Sequence, residues 1–254
     1  LELGQPFDIH TGGVDLKFPH HENEIAQSTA GHEDPTYAHV FMHNEHILVD
    51  GRKMSKSLGN FYTLENLTEQ HIDPLAFRLL VLQSHYRSQT NFSFDNVAAA
   101  TNRLKRWRNV AALRWQTHDT LVDDDDKDTV GKVTGVVLSA PHAAQEAMND
   151  DLNTPAALAA IETALDAIEA APLERIQHDA LTALVEWIDN VLGMQLALST
   201  PDIHDNEKQL ILERERAREN KDWARSDQLR DELAAKGITL RDTARHTIWT
   251  RNET

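Results

Sequence analysis

Glycine is distributed in a way that divides this chain into two kinds of structure. Six of the ten glycines fall in residues 1–59, and only four in the remaining 195. Glycine supplies tight turns and close backbone approaches, and it weakens helix interiors. The first part is therefore expected to be built of strands and loops, and the rest of helices. With 254 residues, 40% of them hydrophobic, the chain can bury a core as one large domain or two to three small ones.

Local patterns agree with that division. Residues 7–11 alternate and end in Gly12-Gly13, which fits a strand running into a turn. Residues 19–30 read as a helix, with Pro19 at the start and Gly31 beyond the end. Residues 39–43 and 46–49 are candidate strands, the second followed by the turn signal Asp50-Gly51. Strand, helix, strand suggests half of a parallel α/β sheet. Helical spacing dominates 64–82, with Asp73-Pro74 as a helix start, and 96–115 is a basic amphipathic helix. Helical stretches at 132–148, 155–170 and 174–192 join it as a bundle; Asp151, Asn153 and Thr154 ahead of Pro155 are N-capping chemistry. After a linker at Pro201 come helices at 207–220 and 223–235, a stop at Gly237, and short strands at 238–240 and 247–249. The fold class expected is α/β followed by mainly α.

The net charge of −16 looks like an argument against a nucleic-acid partner, since such proteins carry basic patches. The charge is not spread evenly, however. Residues 1–60 carry −5, 61–120 carry +2, 121–204 carry −13 and 205–254 carry 0. The acidic part begins with Asp123-Asp124-Asp125-Asp126, a self-repelling run that reads as a solvated linker. Two of the four segments are thus free of the acidity that would repel RNA. No apolar run approaches the ~20 residues that span a bilayer, and no basic stretch followed by an apolar one opens the chain. A cytoplasmic protein without membrane association is expected. The absence of cysteine rules out disulfides and thiol catalysis within the chain.

The most specific string is Lys53-Met54-Ser55-Lys56-Ser57, followed by Leu58-Gly59-Asn60. Two lysines three apart in a Ser/Gly-rich turn, just after a strand, form a mobile cationic loop. Ammonium groups act as point charges on phosphate oxygens, and fixed cations help most where charge develops in a transition state. A basic surface turn is the plainer reading of the spacing alone. The second string runs from Phe7 to Glu24. Its paired glycines allow a ligand close to the backbone, and Asp15 can accept hydrogen bonds from ribose hydroxyls or simply serve a turn. His20 and Glu24 are i,i+4 and share a helix face. They can supply two ligands to zinc or form an ordinary surface pair. His10 and His21 can equally be structural.

The five-residue lysine string resembles the signature loop of class I aminoacyl-tRNA synthetases. Together with His10-Thr11-Gly12-Gly13-Val14-Asp15 and Phe18-Pro19-His20-His21-Glu22-Asn23-Glu24, it resembles the cysteinyl-tRNA synthetase family. The resemblance continues through His85-Tyr86-Arg87-Ser88, Asp150-Asp151-Leu152-Asn153-Thr154-Pro155 and the tail from Lys221 to Trp249, so it covers essentially the whole chain. Thr11 replaces a family glycine and is accommodated only if its φ is negative.

The resemblance implies ATP-dependent formation of cysteinyl-adenylate from L-cysteine and transfer to the cysteine tRNA. It implies His20 and Glu24 as two of four zinc ligands, the others being upstream cysteines. Gly13 and Asp15 become ATP contacts, and His10 part of an active-site histidine cluster. Lys53 and Lys56 steady the phosphates, Lys56 foremost, with Mg2+ accompanying ATP. In the tail, Arg218, Trp223, Asp227 and Asp242 become readers of anticodon bases; Arg214, Arg216 and Lys221 lie along the same predicted helix as Arg218. Residue composition alone reads that tail as a helical hairpin with two core tryptophans, or as an RNA-binding surface. Arg103, Lys105, Arg106 and Arg108 are candidates to follow the tRNA limb, or a solvated face.

The implied domains are 1–60, the second half of a Rossmann-type catalytic domain; 61–95, a stem-contact segment; 96–200, a helical bundle; and 201–254, a small α+β anticodon-binding domain. The complete protein is expected to be a monomer. The family's zinc cysteines, its His-Ile-Gly-His phosphate signature and the first half of its nucleotide sheet have no counterpart here. The chain is therefore expected to be a C-terminal portion of a longer or split protein, unable by itself to form the adenylate. Two other readings stand beside it: a ligase joining cysteine to an amino-sugar inositol in mycothiol synthesis, and a non-catalytic RNA-binding module descended from a synthetase. The RNA-binding tail argues against the first, and the lysine loop with His20 and Glu24 against the second.

Overall fold

Strand β1 (Phe7–Gly13) pairs in parallel with β2 (Ala38–Asn44), Ile9 opposite Val40 and Gly13 opposite Asn44. A parallel pair cannot be joined by a tight hairpin and needs a crossover. Helix α1 (Glu22–Gly31) supplies it, and includes the Gly31 expected just beyond its end. The computed structural model describes residues 4–32, 35–116, 131–171, 177–243 and 247–251. Regular α-helix begins at Glu22 rather than at residue 19, after a turn over Lys17–His21 in which Phe18 is extended, φ −138° and ψ 134°. The ring of Pro19 disfavours the helical region for the residue before it.

A second sheet follows. Strand β3 (Ile47–Val49) turns through Asp50 and Gly51, both at positive φ, into the antiparallel β4 (Arg52–Lys53). Asp-Gly at that φ is the expected chemistry of a two-residue hairpin. Strand β5 (Thr90–Phe92) adds in parallel on the other side of β3; three residues of mixed character gave no sequence signal. The helical stretch expected over 64–82 divides into α2 (Leu64–Glu69) and α3 (Pro74–Leu82). Thr63 and Asn66 form a reciprocal capping box on α2. Asp73 caps α3 by accepting from Leu75 N at 2.8 Å, a bond worth about 1 kcal/mol. Val49, Leu67, Leu80, Phe92, Val97 and Ala100 make a shared core.

The chain divides into two compact units, 1–101 with 152–155, and 102–151 with 156–254, the boundary falling inside α4 (Phe94–Ala112). The second unit contains α5 (Gly131–Asn149), α6 (Thr154–Ala170) and α7 (His178–Trp187). Leu158, Ile161, Leu165 and Ile168 of α6 are all buried, the 3-4-3 spacing of a single apolar face. The short α8 (Leu196–Ser199) is capped from a distance by Asp189, whose carboxylate accepts from Leu196 N at 2.6 Å and Ala197 N at 2.8 Å. Helices α9 (Asp205–Glu219) and α10 (Trp223–Ala235) precede an antiparallel pair, β6 (Ile238–Asp242) and β7 (Thr247–Arg251). Their core is Ile203, Ile211, Leu233, Ile238, Leu240 and Trp249. The acidic run 123–126 lies outside the described residues. The fold is thus α/β followed by mainly α.

Candidate active-site elements and nucleic-acid interface

Strand β1 delivers His10 against α1. His10 Nε2 lies 2.8 Å from Glu24 Oε2, and the other oxygen of Glu24 lies 3.5 Å from His20 Nε2. The i,i+4 pairing expected of His20 and Glu24 is therefore present. His21, on the same turn, is 4% exposed, with its ring 4.3 Å from that of His10. Its Nδ1 is 2.9 Å from His43 Nε2 on β2. Burial, then the neighbouring imidazoles of His10 and His43, push the His21 pKa below its ordinary value. It is held neutral, the form in which a histidine can accept a hydrogen bond or bind a metal. Ligand atoms of His10, His21 and Glu24 all lie within 4.8 Å of one another.

Gly12 explains how the rings fit. A Cβ there would lie 2.8 Å from His21 Cε1, so only a bare backbone admits the imidazole. Thr11 sits in β1 opposite Met42 and is not among the residues of positive φ, which satisfies the condition set for it. Gly13 ends the strand, and Asp15 follows in a turn at Val14–Leu16, its exposed carboxylate 3.4 Å from His46 Nε2. His43 and His46 carry no motif of their own. The place of His43 beside His21 follows from the β1–β2 register and that of His46 beside Asp15 from the loop after β2, neither of which the sequence spells out.

The lysine string forms the end of β4 and a single 3-10 turn, Lys56–Leu58. Ser55 Oγ accepts from Leu58 N at 3.2 Å, and Gly59 closes the turn at φ 66°. Asn60 ties both ends: its Oδ1 accepts from Ser55 N at 2.8 Å and its Nδ2 donates to Lys53 O at 3.1 Å. Lys53 and Lys56 are exposed, and Lys56 Nζ stands 5.5 Å from the Phe61 ring centroid. The serines and glycine were legible as a turn; the clasp by Asn60 was not.

In the C-terminal domain Arg218 and Asp242 are brought together, Nη1 to Oδ2 at 3.1 Å. Trp223 opens α10 with 57% of its surface exposed. Asp227, four residues on, is exposed and shares that helix face. Trp249, by contrast, is core at 1%. Arg214, grouped by sequence with the basic stripe, is buried and grips Asp242 with both terminal nitrogens, 2.8 and 2.9 Å. Hydrogen bonding to Arg214 and Thr247 holds the Asp242 carboxyl down at about 2.

The basic helix departs from expectation. Arg103 and Arg106 do not present a free cationic face. Arg103 pairs with Glu162, and Arg106 with Glu162, Asp166 and Glu169 of α6. Trp107 Nε1 also donates to Glu162, at 2.7 Å. Arg108 Nε donates to Ser199 Oγ at 3.3 Å. The arginine–carboxylate spacing that fastens two helices is invisible until the helices are aligned. Among the described residues no helix is long and apolar enough to cross a membrane.

Known proteins resemble the chain in the same order. Residues 1–102 match the model of the class I (C) tRNA synthetase catalytic domain, 143–197 the DALR domain, and 200–249 the cysteinyl-tRNA ligase anticodon binding domain. A cysteine–tRNA ligase of Leptospira interrogans is 40% identical over 97% of this chain and 53% of its own length. One from Lysinibacillus sphaericus is 41% identical over 98% of this chain and 53% of its own. One from Chlamydia felis is 39% identical over 95% and 50%. The chain thus spans about half the length of the curated relatives it matches. The fold is shared with a leucyl synthetase in a ternary complex with tRNA and LeuAMS from Agrobacterium radiobacter K84, at TM-score 0.59, 19% identity, and coverage of 74% of this chain and 26% of that one.

Proposed function

Given that the chain belongs to the cysteine–tRNA ligase family of class I aminoacyl-tRNA synthetases, we propose that it serves ATP-dependent activation of L-cysteine and its transfer to the cysteine tRNA. One observation carries this reading. The lysine loop and the His20–Glu24 pair lie within the part matched to the catalytic domain, ahead of the part matched to an anticodon-binding domain. In this reading residues 1–60 are catalytic, 61–95 contact the acceptor stem, 96–200 form the bundle, and 201–254 read the anticodon.

Lys53 and Lys56 act on the ATP phosphates as point charges. They stand on an exposed turn whose ends are fastened by Asn60, so the cations are held near their working positions before charge develops. Asp15 offers an exposed carboxylate to the ribose hydroxyls, next to the bare backbone of Gly13. Mg2+ accompanies the nucleotide.

Zn2+ fits His20 and Glu24. Zinc bonds to nitrogen and oxygen of about 2.0–2.2 Å place two ligands of a tetrahedral centre roughly 3.4 Å apart. His20 Nε2 and Glu24 Oε1 are 3.5 Å apart, whereas the 2.8 Å from His10 to Glu24 is a hydrogen bond. His10 then holds the second oxygen of Glu24 and turns the first toward His20, the role of a partner behind a metal ligand. Bound there, the ion would supply a borderline-soft site that prefers a thiolate to a neutral hydroxyl, the chemistry that would separate cysteine from serine.

The test is binding of the cysteine tRNA to this chain, with and without residues 205–254. Affinity should depend on that segment. Unchanged binding after its removal counts against the assignment of the C-terminal domain.

A further inference from the structure

An ionised carboxylate offers about four acceptor positions, two on each oxygen. In Asp242 three are taken by hydrogen bonds, and the fourth faces the guanidinium of an ion pair. Oδ1 accepts from Arg214 Nη1 at 2.8 Å and from Thr247 Oγ1 at 3.0 Å. Oδ2 accepts from Arg214 Nη2 at 2.9 Å and lies 3.1 Å from Arg218 Nη1 in an ion pair. The donors are not equivalent. The Arg214 side chain is 2% exposed and Thr247 4%, while that of Arg218 is 40% exposed. Arg214 and Thr247 cannot leave without opening the core, and Arg218 can leave by a change of rotamer.

This bears on the reading of Asp242 as an RNA contact, on which the inference rests. A carboxylate reads a base by accepting from an exocyclic amino group, and on Asp242 the one position without a hydrogen bond is covered by the Arg218 guanidinium. We propose that Arg214 and Thr247 are positioning residues that leave Asp242 a single acceptor on Oδ2, and that Arg218 yields this acceptor when an anticodon base presents its amino group. One arginine therefore fixes the reader and the other is exchanged for the ligand. The released Arg218 guanidinium is then available to a phosphate or a second base edge.

Two further observations agree. Among the described residues the buried Arg214 Nε has no hydrogen-bond partner, so the guanidinium is aimed wholly by its fork on Asp242 and by Thr247, whose Oγ1 lies 3.4 Å from Nη1. The depressed pKa of Asp242 keeps the carboxyl an acceptor throughout the physiological range. Specificity then comes from geometry: a planar bidentate grip fixes the carboxylate plane, and a lysine in its place does not.

The experiment uses the whole 254-residue chain. Fluorescence anisotropy gives Kd for an RNA hairpin carrying the anticodon arm of the cysteine tRNA, and for hairpins with each anticodon base replaced in turn. Thr247→Val and Arg214→Lys should each lower discrimination at one anticodon position by about tenfold, the value of one base-edge contact. The slope of log Kd against log salt should stay unchanged, because neither side chain reaches a phosphate. Arg218→Gln removes a cation that stands at the anticodon itself and is read by salt dependence: it should reduce that slope by up to about one unit. Thermal melting checks each variant; if Arg214→Lys does not fold, Thr247→Val decides. Full discrimination in Thr247→Val and Arg214→Lys, alongside its loss in Asp242→Asn, overturns the positioning role alone. Full discrimination in Asp242→Asn overturns the reading of Asp242 as a base contact, and this inference with it.

Discussion

His21 Nδ1 and His43 Nε2 face each other at 2.9 Å, so these two nitrogens share one proton. The pair bridges the turn ahead of α1 to β2 from a site where His21 is buried. His43→Leu should leave Nδ1 of His21 without its partner and lower stability by about 1–3 kcal/mol. His43→Gln, which can still offer a donor and an acceptor, should recover part of the loss. Urea denaturation measures both, and equal midpoints for the two variants would show that volume and not the hydrogen bond matters.

Asp242 makes stability depend on acid. Its folded pKa of about 2 lies below the ordinary 3.8, so its contribution is complete above pH 4 and is lost as the pH falls toward 2. The linkage is worth on the order of 2 kcal/mol. Denaturation midpoints measured across that window should fall for the native chain. In Asp242→Asn they should fall less by about that amount, starting from a lower plateau.

Asn60 tethers the lysine loop without touching any cation. Asn60→Ala should release the Ser55 amide, raising its hydrogen-exchange rate roughly tenfold for a bond of about 1.4 kcal/mol. Adenylate formation in the active enzyme should fall modestly. Lys56→Ala should lower the same rate by about a hundredfold and leave tRNA affinity nearly intact. Equal losses of both quantities in Lys56→Ala would contradict the role at the phosphates proposed for it.

Glu162 collects Arg103, Arg106 and the Trp107 indole. Glu162→Gln keeps an acceptor for the indole but removes the charge that two arginines share. It should cost about 2–3 kcal/mol, read as a shift in urea midpoint. Arg106 also contacts Asp166 and Glu169, so Arg106→Gln should cost at least as much.

Much of this was readable from residues alone. Pro19 and Asp50-Gly51 marked turns of the first unit because proline fixes φ and glycine admits a positive φ. Helix α10 runs from Trp223 to Ala235, the bounds its pattern predicts. The His20–Glu24 pair was legible because i,i+4 spacing survives where the turn over Lys17–His21 runs straight into α1. What escaped was decided between elements. β5 is three residues long and exists through its pairing with β3. The Asp189 cap on α8 spans seven residues. Arg214 looks like its neighbours Arg216 and Arg218 in sequence, and only the approach of Asp242 separates a buried arginine from a surface one. The same holds for Arg103 and Arg106, whose partners lie some sixty residues away.

Gly12 carries a consequence for how this sequence can change. The ring of His21 occupies the space that a side chain at position 12 would fill, so the two positions form one unit of variation. Any residue with a Cβ at 12 requires a smaller or displaced group at 21, and displacing His21 abandons His43 as well. A family of variants that explored β1 freely should therefore show position 12 fixed wherever 21 is histidine, and released only together with it.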